Sequence, residues 1–178
     1  MKKTALVVID MLNAYDFEDA DRLAESVRET LPKIRALLDR AKERDVPVIY
    51  VNDNYGDWNS SAEELVEEAK RGRFPDLVEE IEPDDDAKFV IKGRHSIFYG
   101  TPMEYLLKEL EIDRLVMVGQ VTEQCILYSA LDAYIRDLDV AVPRDAVAHI
   151  EQDLADAALR MMEVNMDADV EPSERCVL

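Results

Sequence analysis

The stretch RLVMVGQVTEQCILYSALDAY (114–134) carries the strongest indication of the fold. It begins with RLVMV (114–118), a short and almost continuously apolar run that is typical of a strand buried on both faces. After Gly119 and a short polar segment, residues 123–136 have the pattern of a helix. A buried strand that leads directly into a helix is the building unit of a parallel sheet, so this stretch predicts an α/β fold.

The same alternation of short apolar runs and longer amphipathic segments continues along the chain. Further strands are predicted at 5–9, 47–51, 88–91 and 139–142, with a sixth near 168–170. Helices are predicted at 23–41, 62–71, 102–110 and 152–165. Pro32 either kinks or restarts the first helix. This order predicts right-handed crossovers and a three-layer, Rossmann-like α/β/α fold with a mainly parallel sheet of about six strands.

The composition describes a globular chain. The 178 residues, nearly half of them apolar, fit a single domain over residues 1–178 with a sizeable core. No apolar stretch is long enough to span a bilayer. Polar residues end the apolar run of MKKTALVVID (1–10) too early for a signal peptide, so we expect a cytoplasmic protein.

The formal net charge of −19 is extreme. It argues against a nucleic-acid-binding surface, which would need clustered Lys and Arg, and it disfavours anionic membranes. The simplest interpretation is a strongly hydrated, self-repelling surface. Acid this abundant also resembles proteins of salt-loving organisms, which is the preferred explanation, and it says little about the reaction.

Reactive side chains follow three of the predicted strands. Asp10 follows the first strand, Lys92 the third, and Thr122 and Cys125 the fourth. In an open parallel sheet, ligands bind beyond these carboxyl ends. Each residue also has an ordinary alternative: a cap for the Asp, a solvated side chain for the Lys, a small buried hydrophobe for the Cys. Their coincidence at one edge favours an activated cysteine nucleophile.

The chemistry of such a nucleophile depends on ionising the thiol. A free thiol has a pKa of about 8.5, and we expect a nearby ammonium and the start of a helix to lower the pKa of Cys125. A carboxylate can accept the thiol proton and later return it to a leaving group. The other cysteine, Cys176, lies near the C-terminus, and nothing else suggests the secretion that a disulfide would imply.

Four segments of the chain carry a family resemblance. They are VVIDMLNAY (7–15), KGRHSIFYGT (92–101), VGQVTEQCILYSALDAY (118–134) and VAVPRDAVA (140–148). In this order they resemble the isochorismatase-like superfamily of cysteine hydrolases, which includes nicotinamidases, N-carbamoylsarcosine amidohydrolase and ureidoacrylate amidohydrolase. The segments span most of the chain, and the Gly-x-x-Thr-x-x-Cys pattern is fairly specific.

The resemblance implies that Asp10, Lys92 and Cys125 form a catalytic triad acting on a small-molecule substrate, in a homo-oligomer. It also implies a cis peptide bond between Gln120 and Val121. The amides of Val121 and Cys125 would then form an oxyanion hole.

The segment that carries Cys125 has one further polar residue with a predicted role. The resemblance implies that Thr122 helps to hold the turn, and an ordinary helix N-cap is its alternative role.

The chain departs from the family pattern after the second strand. There the resemblance implies an Asp-x-His…His metal site in nicotinamidases, but VNDNYGDWNS (51–60) contains no histidine. Asp53 and its asparagine neighbours could contact a hard cation, with a solvated loop as the alternative. The two histidines, His95 and His149, lie far apart and have no obvious partners. We therefore predict no required metal and no cofactor.

Five side chains are candidates for a substrate pocket. Tyr15, Phe17, Trp58 and Phe98 could form its walls, although aromatic residues are more often core or rim. Arg94 could pair with a substrate carboxylate, with exposure to solvent as its default.

The leading functional prediction is a hydrolase that cleaves a C–N bond of a small amide, ureide or carbamoyl compound through a Cys125 thioester. One alternative is isochorismate vinyl-ether hydrolysis, which needs an acid more than a nucleophile. Another is a non-catalytic binding or assembly protein on the same fold. A dinucleotide-binding protein is excluded, since no G-x-G-x-x-G follows the first strand.

Overall fold

A six-stranded parallel sheet forms the centre of the protein. The computed structural model describes residues 2–178. Its strands are β1 Thr4–Ile9, β2 Val48–Asp53, β3 Lys88–Lys92, β4 Arg114–Gln120, β5 Asp139–Ala141 and β6 Val147–Ala148. The sheet order is β3-β2-β1-β4-β5, and β6 pairs with the end of β4. The predicted α/β fold with a parallel sheet of six strands is confirmed.

Helices cover both faces of this sheet. They are α1 Ala20–Glu43, α2 Ala62–Lys70, α3 Asp76–Glu79, α4 Met103–Glu109, α5 Leu127–Tyr134 and α6 Gln152–Met166. The helices α1 and α3 contribute to the core on one face, and α4, α5 and α6 to the core on the other. None of the helices within residues 2–178 combines the length and apolarity needed to cross a bilayer.

The central strand β1 explains why the apolar runs are nearly continuous. Leu6 and Val8 lie in the core beneath α1, whereas Val7 and Ile9 lie in the core on the opposite face. Successive side chains of a strand point to opposite faces, so a strand covered on both sides is apolar at every position. Because β1 is the central strand of the sheet, its carboxyl end lies in the middle of one edge.

The sixth strand is not where the sequence predicts it. Residues 168–170 form only one isolated bridge, between Ala141 and Asp169, and the sixth strand is Val147–Ala148. These two residues complete the ladder beside Gly119 and Gln120. A two-residue strand is too short to show a periodicity of its own.

Two helices differ from their predicted form. Pro32 neither ends nor restarts α1, which continues through it from Ala20 to Glu43. The helix predicted at 123–136 begins as a π-helical turn, Thr122–Ile126, and becomes α-helical only at Leu127. Such turns are frequent at functional sites. The single-turn helix α3 was not predicted at all.

Candidate active site

Asp10, Lys92 and Cys125 meet at the carboxyl edge of the sheet. The Nζ atom of Lys92 lies 2.9 Å from Oδ2 of Asp10 and 3.8 Å from Sγ of Cys125. The Asp10 carboxylate lies close enough to the Cys125 thiol for the two groups to influence each other's ionisation. An acid and a thiol from distant parts of the chain are therefore both in contact with one ammonium.

The sheet itself positions the first two members of this cluster. Asp10 directly follows β1, and its backbone N–H donates to the carbonyl oxygen of Val51 at 2.9 Å. Its Oδ1 accepts from the backbone N–H of Asp53 at 2.8 Å. Lys92 is the last residue of β3, and its side chain is 0% exposed. A lysine this deeply buried requires charged partners, which the cluster provides.

The strand that leads to Cys125 ends in close contact with Asp10. The peptide bond between Gln120 and Val121 is cis. The side chain of Gln120 donates from Nε2 to the carbonyl oxygen of Asp10 at 2.6 Å, and it accepts from the hydroxyl of Tyr15 at 3.3 Å. These bonds connect the ends of β1 and β4 through a buried polar chain.

The π-helical turn that carries Cys125 is fixed from the side of β6. The hydroxyl of Thr122 donates to the carbonyl oxygen of Ala148 at 2.8 Å, rather than capping a helix. The carboxylate oxygen Oε1 of Glu123 accepts from the backbone N–H groups of Ile150 and Glu151, both at 2.9 Å. The half-buried Cys125 thus sits in a turn held by one buried and two partly buried hydrogen bonds.

The electrostatics of the thiol differ from the sequence-based expectation. Burial and the negative charge of Asp10 raise the pKa of Cys125, and the opposing effect of Lys92 is smaller. The expected lowering of the thiol pKa was wrong because sequence does not reveal how much water the fold removes from the sulfur. At rest the thiol is therefore protonated, with Asp10 as the nearby carboxylate that can accept its proton.

The two charged partners of the thiol perturb each other. Burial raises the pKa of Asp10, although Lys92 opposes this effect. Burial also lowers the pKa of Lys92, but its acidic neighbours outweigh burial and the net direction is upward. The carboxyl group of Asp10 is therefore a better proton acceptor than an exposed aspartate, while Lys92 stays cationic.

A fourth charged group, Asp53, joins the cluster without having been assigned to it from the sequence. Its Oδ2 lies 3.2 Å from Nζ of Lys92. The predicted second strand stops at residue 51, whereas β2 continues to Asp53. A predicted strand two residues longer would have placed Asp53 at the same edge of the sheet as Lys92.

Of the five pocket candidates, two are core side chains. Tyr15 is fully buried, and its hydroxyl supports Gln120 instead of lining a cavity. Phe98 is buried in the core, with the guanidinium of Arg136 4.7 Å above its ring. These contacts correct the prediction that both rings form pocket walls.

The other three candidates are accessible to solvent. Phe17 is 39% exposed and lies beside Tyr15. Trp58 is 82% exposed, and its indole lies against Gly93, where an added Cβ would be 3.0 Å from the ring. Arg94, the residue that follows Gly93, is also exposed. The positions of Trp58 and Arg94 beside Lys92 suit the rim of a site.

One cleft of the surface lies away from this cluster. It has a volume of about 570 Å³, lies between α1 and the start of α6, and contains a contact of 3.1 Å between Ser26 Oγ and His149 Nδ1. None of the cluster residues lines it. Within residues 2–178, no group of three or more His, Cys, Asp or Glu side chains is arranged to hold a metal ion.

The fold and the cluster together define a class: an α/β protein with an acid–ammonium–thiol site at the carboxyl edge of a parallel sheet. The family model described as "Isochorismatase domain" matches residues 4–174. The isochorismatase family protein YaaI of Bacillus subtilis is 32% identical over 173 residues, covering 97% of this chain and 96% of the relative. The chain belongs to the isochorismatase family.

Solved structures of similar proteins include two amide hydrolases. The nicotinamidase SaPncA of Staphylococcus aureus superposes with a TM-score of 0.75 at 26% identity, covering 96% of this chain and 98% of that one. The N-carbamoylsarcosine amidase of Thermoplasma acidophilum superposes with a TM-score of 0.72 at 27% identity, covering 98% of both chains. The chain is thus similar over its length to hydrolases of small amides.

Proposed function

We propose that the protein is a cysteine hydrolase that cleaves a C–N bond in a small amide, ureide or carbamoyl compound. The observation that carries this proposal is the contact of Cys125, Asp10 and Lys92 in one partly buried cluster. A thiol beside an ammonium and a carboxylate is the combination that an activated cysteine nucleophile needs.

The first half of the reaction acylates the thiol. Asp10 takes the proton of Cys125 while the sulfur attacks the substrate carbonyl carbon, and Lys92 stabilises the negative charge that develops on the sulfur. The amides of Val121 and Cys125 donate to the oxyanion of the tetrahedral intermediate. Asp10 then gives its proton to the nitrogen, the C–N bond breaks, and ammonia or an amine leaves a thioester on Cys125.

The second half releases the acid. A water molecule gives a proton to Asp10 as its oxygen attacks the thioester carbonyl. The C–S bond breaks, and Asp10 returns the proton to the sulfur. The raised pKa of Asp10 suits both directions of this transfer, because a carboxylate in water is a poor proton acceptor at neutral pH.

The names of the similar structures support the choice of bond. One is a nicotinamidase and the other an N-carbamoylsarcosine amidase, and both names refer to amide-type C–N bonds. The family description also keeps vinyl-ether hydrolysis of isochorismate as a second candidate. The thiol in contact with Lys92, which also binds the acid, favours the first candidate, since vinyl-ether hydrolysis needs no nucleophilic sulfur.

The test is release of ammonia or amine from a panel of simple amides, ureides and carbamoyl amino acids, with isochorismate included. We expect Cys125→Ala to lower turnover of a C–N substrate by at least about a thousandfold, because the nucleophile is lost. The matched control is Cys176→Ala, which removes the other free cysteine and leaves the cluster intact. Isochorismate turnover that survives Cys125→Ala would support the second candidate instead.

A further inference from the structure

Lys92 lies between two carboxylates, and only one of them has a role in the reaction above. Its Nζ atom is 2.9 Å from Asp10 and 3.2 Å from Asp53. Asp53 and Lys92 are register partners on the neighbouring strands β2 and β3. Their contact is therefore set by the pairing of the sheet and not by a mobile loop.

Asp53 also contacts Asp10 directly and so touches both helpers of the thiol. Its backbone N–H donates to Oδ1 of Asp10 at 2.8 Å, while Oδ1 of its own side chain accepts from the backbone N–H of Tyr55 at 2.9 Å. The remaining oxygen, Oδ2, is the atom that binds Lys92. One oxygen thus orients the carboxylate and the other holds the ammonium.

The donors of Lys92 are fully assigned by this arrangement. An ammonium has three N–H groups, and the described partners of Nζ are Asp10, Asp53 and the sulfur of Cys125. The Lys92 side chain is 0% exposed, whereas that of Asp53 is 24% exposed. Asp53 therefore binds the buried ammonium from the solvent side and draws part of its charge away from the sulfur.

We propose that Asp53 is a positioning residue of this site: it divides the charge of Lys92 between two carboxylates, so that Cys125 stays a thiol until Asp10 removes its proton. This inference rests on the proposed function for its catalytic consequence, but not for its effect on the thiol. The proposal predicts that Cys125 loses its proton only as it attacks the substrate. A permanent thiolate, by contrast, would be open to oxidation at all times.

The charges that face the sulfur give the direction of the effect. Asp10, Asp53 and Lys92 reach Cys125 from the ends of β1, β2 and β3, and the hydroxyl of Tyr55 lies close to the two carboxylates. The negative charge of Asp53 raises the pKa values of both Cys125 and Lys92. Removing that charge must therefore favour the thiolate and move its titration to lower pH.

The test variant is Asp53→Asn, which keeps the shape and the backbone N–H bond to Asp10 but removes the charge. The matched control is Asp57→Asn. Asp57 is an exposed acid in the loop that follows β2, and its Oδ1 accepts a backbone N–H at 2.9 Å just as that of Asp53 does. Both variants are made in the Cys176→Ala background, so that Cys125 is the only thiol.

The measurement is the rate of iodoacetamide alkylation of Cys125 from about pH 6 to about pH 11. We expect the titration of Asp53→Asn to move down by at least about half a pH unit, and that of Asp57→Asn to coincide with the parent. Asp53→Ser, which keeps an oxygen to accept from Tyr55, should show the same displacement and replaces Asp53→Asn if that variant folds poorly. Coincident titrations for the parent and the neutral Asp53 variants would overturn the proposal.

A kinetic measurement separates this proposal from the proposed function. With a C–N substrate available, Asp53→Asn should lower kcat about tenfold or more with little change in KM. The reason is that Lys92 loses an ionic partner that holds it beside Asp10, whereas no contact with the substrate is removed. Asp53→Glu, which restores the charge, should recover part of kcat. Alkylation needs no turnover, so a displaced titration without any amidase activity would refute the proposed function and leave the role of Asp53 standing.

Discussion

Gly119 is the residue at which β4 comes too close to β1 for any side chain. Its φ angle is +115°, and an added Cβ would lie 2.2 Å from the carbonyl oxygen of Ile9. Gly119 and Ile9 are register partners directly before the cluster, so a displacement here moves both Asp10 and the turn that carries Cys125. The glycine is required by a backbone contact and by its positive φ.

We expect Gly119→Ala to destabilise the protein by more than about 3 kcal/mol, because the clash forces apart two central strands. The control is Gly56→Ala. Gly56 also has a positive φ, of +89°, but no atom lies within 4 Å of an added Cβ, so only the conformational cost of about 1–2 kcal/mol remains. Urea denaturation of both variants measures the difference. Equal losses would contradict the close approach of the strands.

The positions of Asp10, Lys92 and Cys125 are predictable from the sequence because all three relate to strands with a plain apolar pattern. Asp10 directly follows β1, Lys92 ends β3, and Cys125 lies in the turn just beyond β4. The direction of the thiol pKa is not predictable in this way, since it depends on the packing around the sulfur. The buried roles of Tyr15 and Phe98 were missed for the same reason: an aromatic residue near a site has the same sequence signature whether it lines the site or supports it.

At the scale of elements, α1 illustrates how far a periodic pattern can be trusted. Its apolar residues recur at spacings of three and four, and this predicts one buried face. The pattern includes both Leu37 and Leu38, but only Leu37 is fully buried in the core. Pro32 lies within the helix without ending it. Packing along the sheet therefore outweighs the local preference of proline.

We expect Leu37→Ala to lower the free energy of unfolding by about 2–5 kcal/mol, since it leaves a cavity beneath the helix. The neighbouring Leu38→Ala should cost about 1 kcal/mol, because Leu38 is only partly buried and its site can be filled by water. Thermal or urea unfolding of this pair of variants tests which side of α1 faces the sheet. A larger loss at Leu38 would reverse that assignment.

The elements that the sequence failed to predict are the shortest ones. The single-turn helix α3 and the two-residue strand β6 are too short for an apolar residue to recur at a regular spacing, so they have no periodicity to detect. Their existence depends on partners elsewhere in the chain: β6 forms because the end of β4 would otherwise have unpaired backbone groups. Long helices and strands can therefore be predicted from their own sequence, whereas short ones depend on the elements with which they pair.

At the scale of the whole molecule, the dominant property is the net charge of −19. Charges of one sign repel one another across the surface, and the compact state concentrates them more than the unfolded chain does. The cost falls as salt shortens the range of repulsion. This charge therefore makes the stability of the fold depend on ionic strength. The homo-oligomer implied by the family resemblance stays a prediction, and the same repulsion would act between its subunits.

We expect the midpoint of urea denaturation to rise with KCl, with an unchanged m-value. Most of the gain should come below about 0.3 M, where the screening length falls fastest, because screening saturates whereas salting-out continues to increase with concentration. A midpoint that is constant up to that concentration would show that the acidic surface does not strain the fold.

The Lys92 ammonium and its two carboxylates are attached to a ladder of backbone hydrogen bonds. Asp53 stands beside Lys92 because β2 pairs with β3 in one particular register. A slip of one residue between these strands would turn every side chain to the other face and replace Asp53 with a neighbouring asparagine at that position. Loops and outer helices can therefore diverge in sequence and length among descendants of this chain while the spacing of the ammonium and its two carboxylates is kept by the strand register.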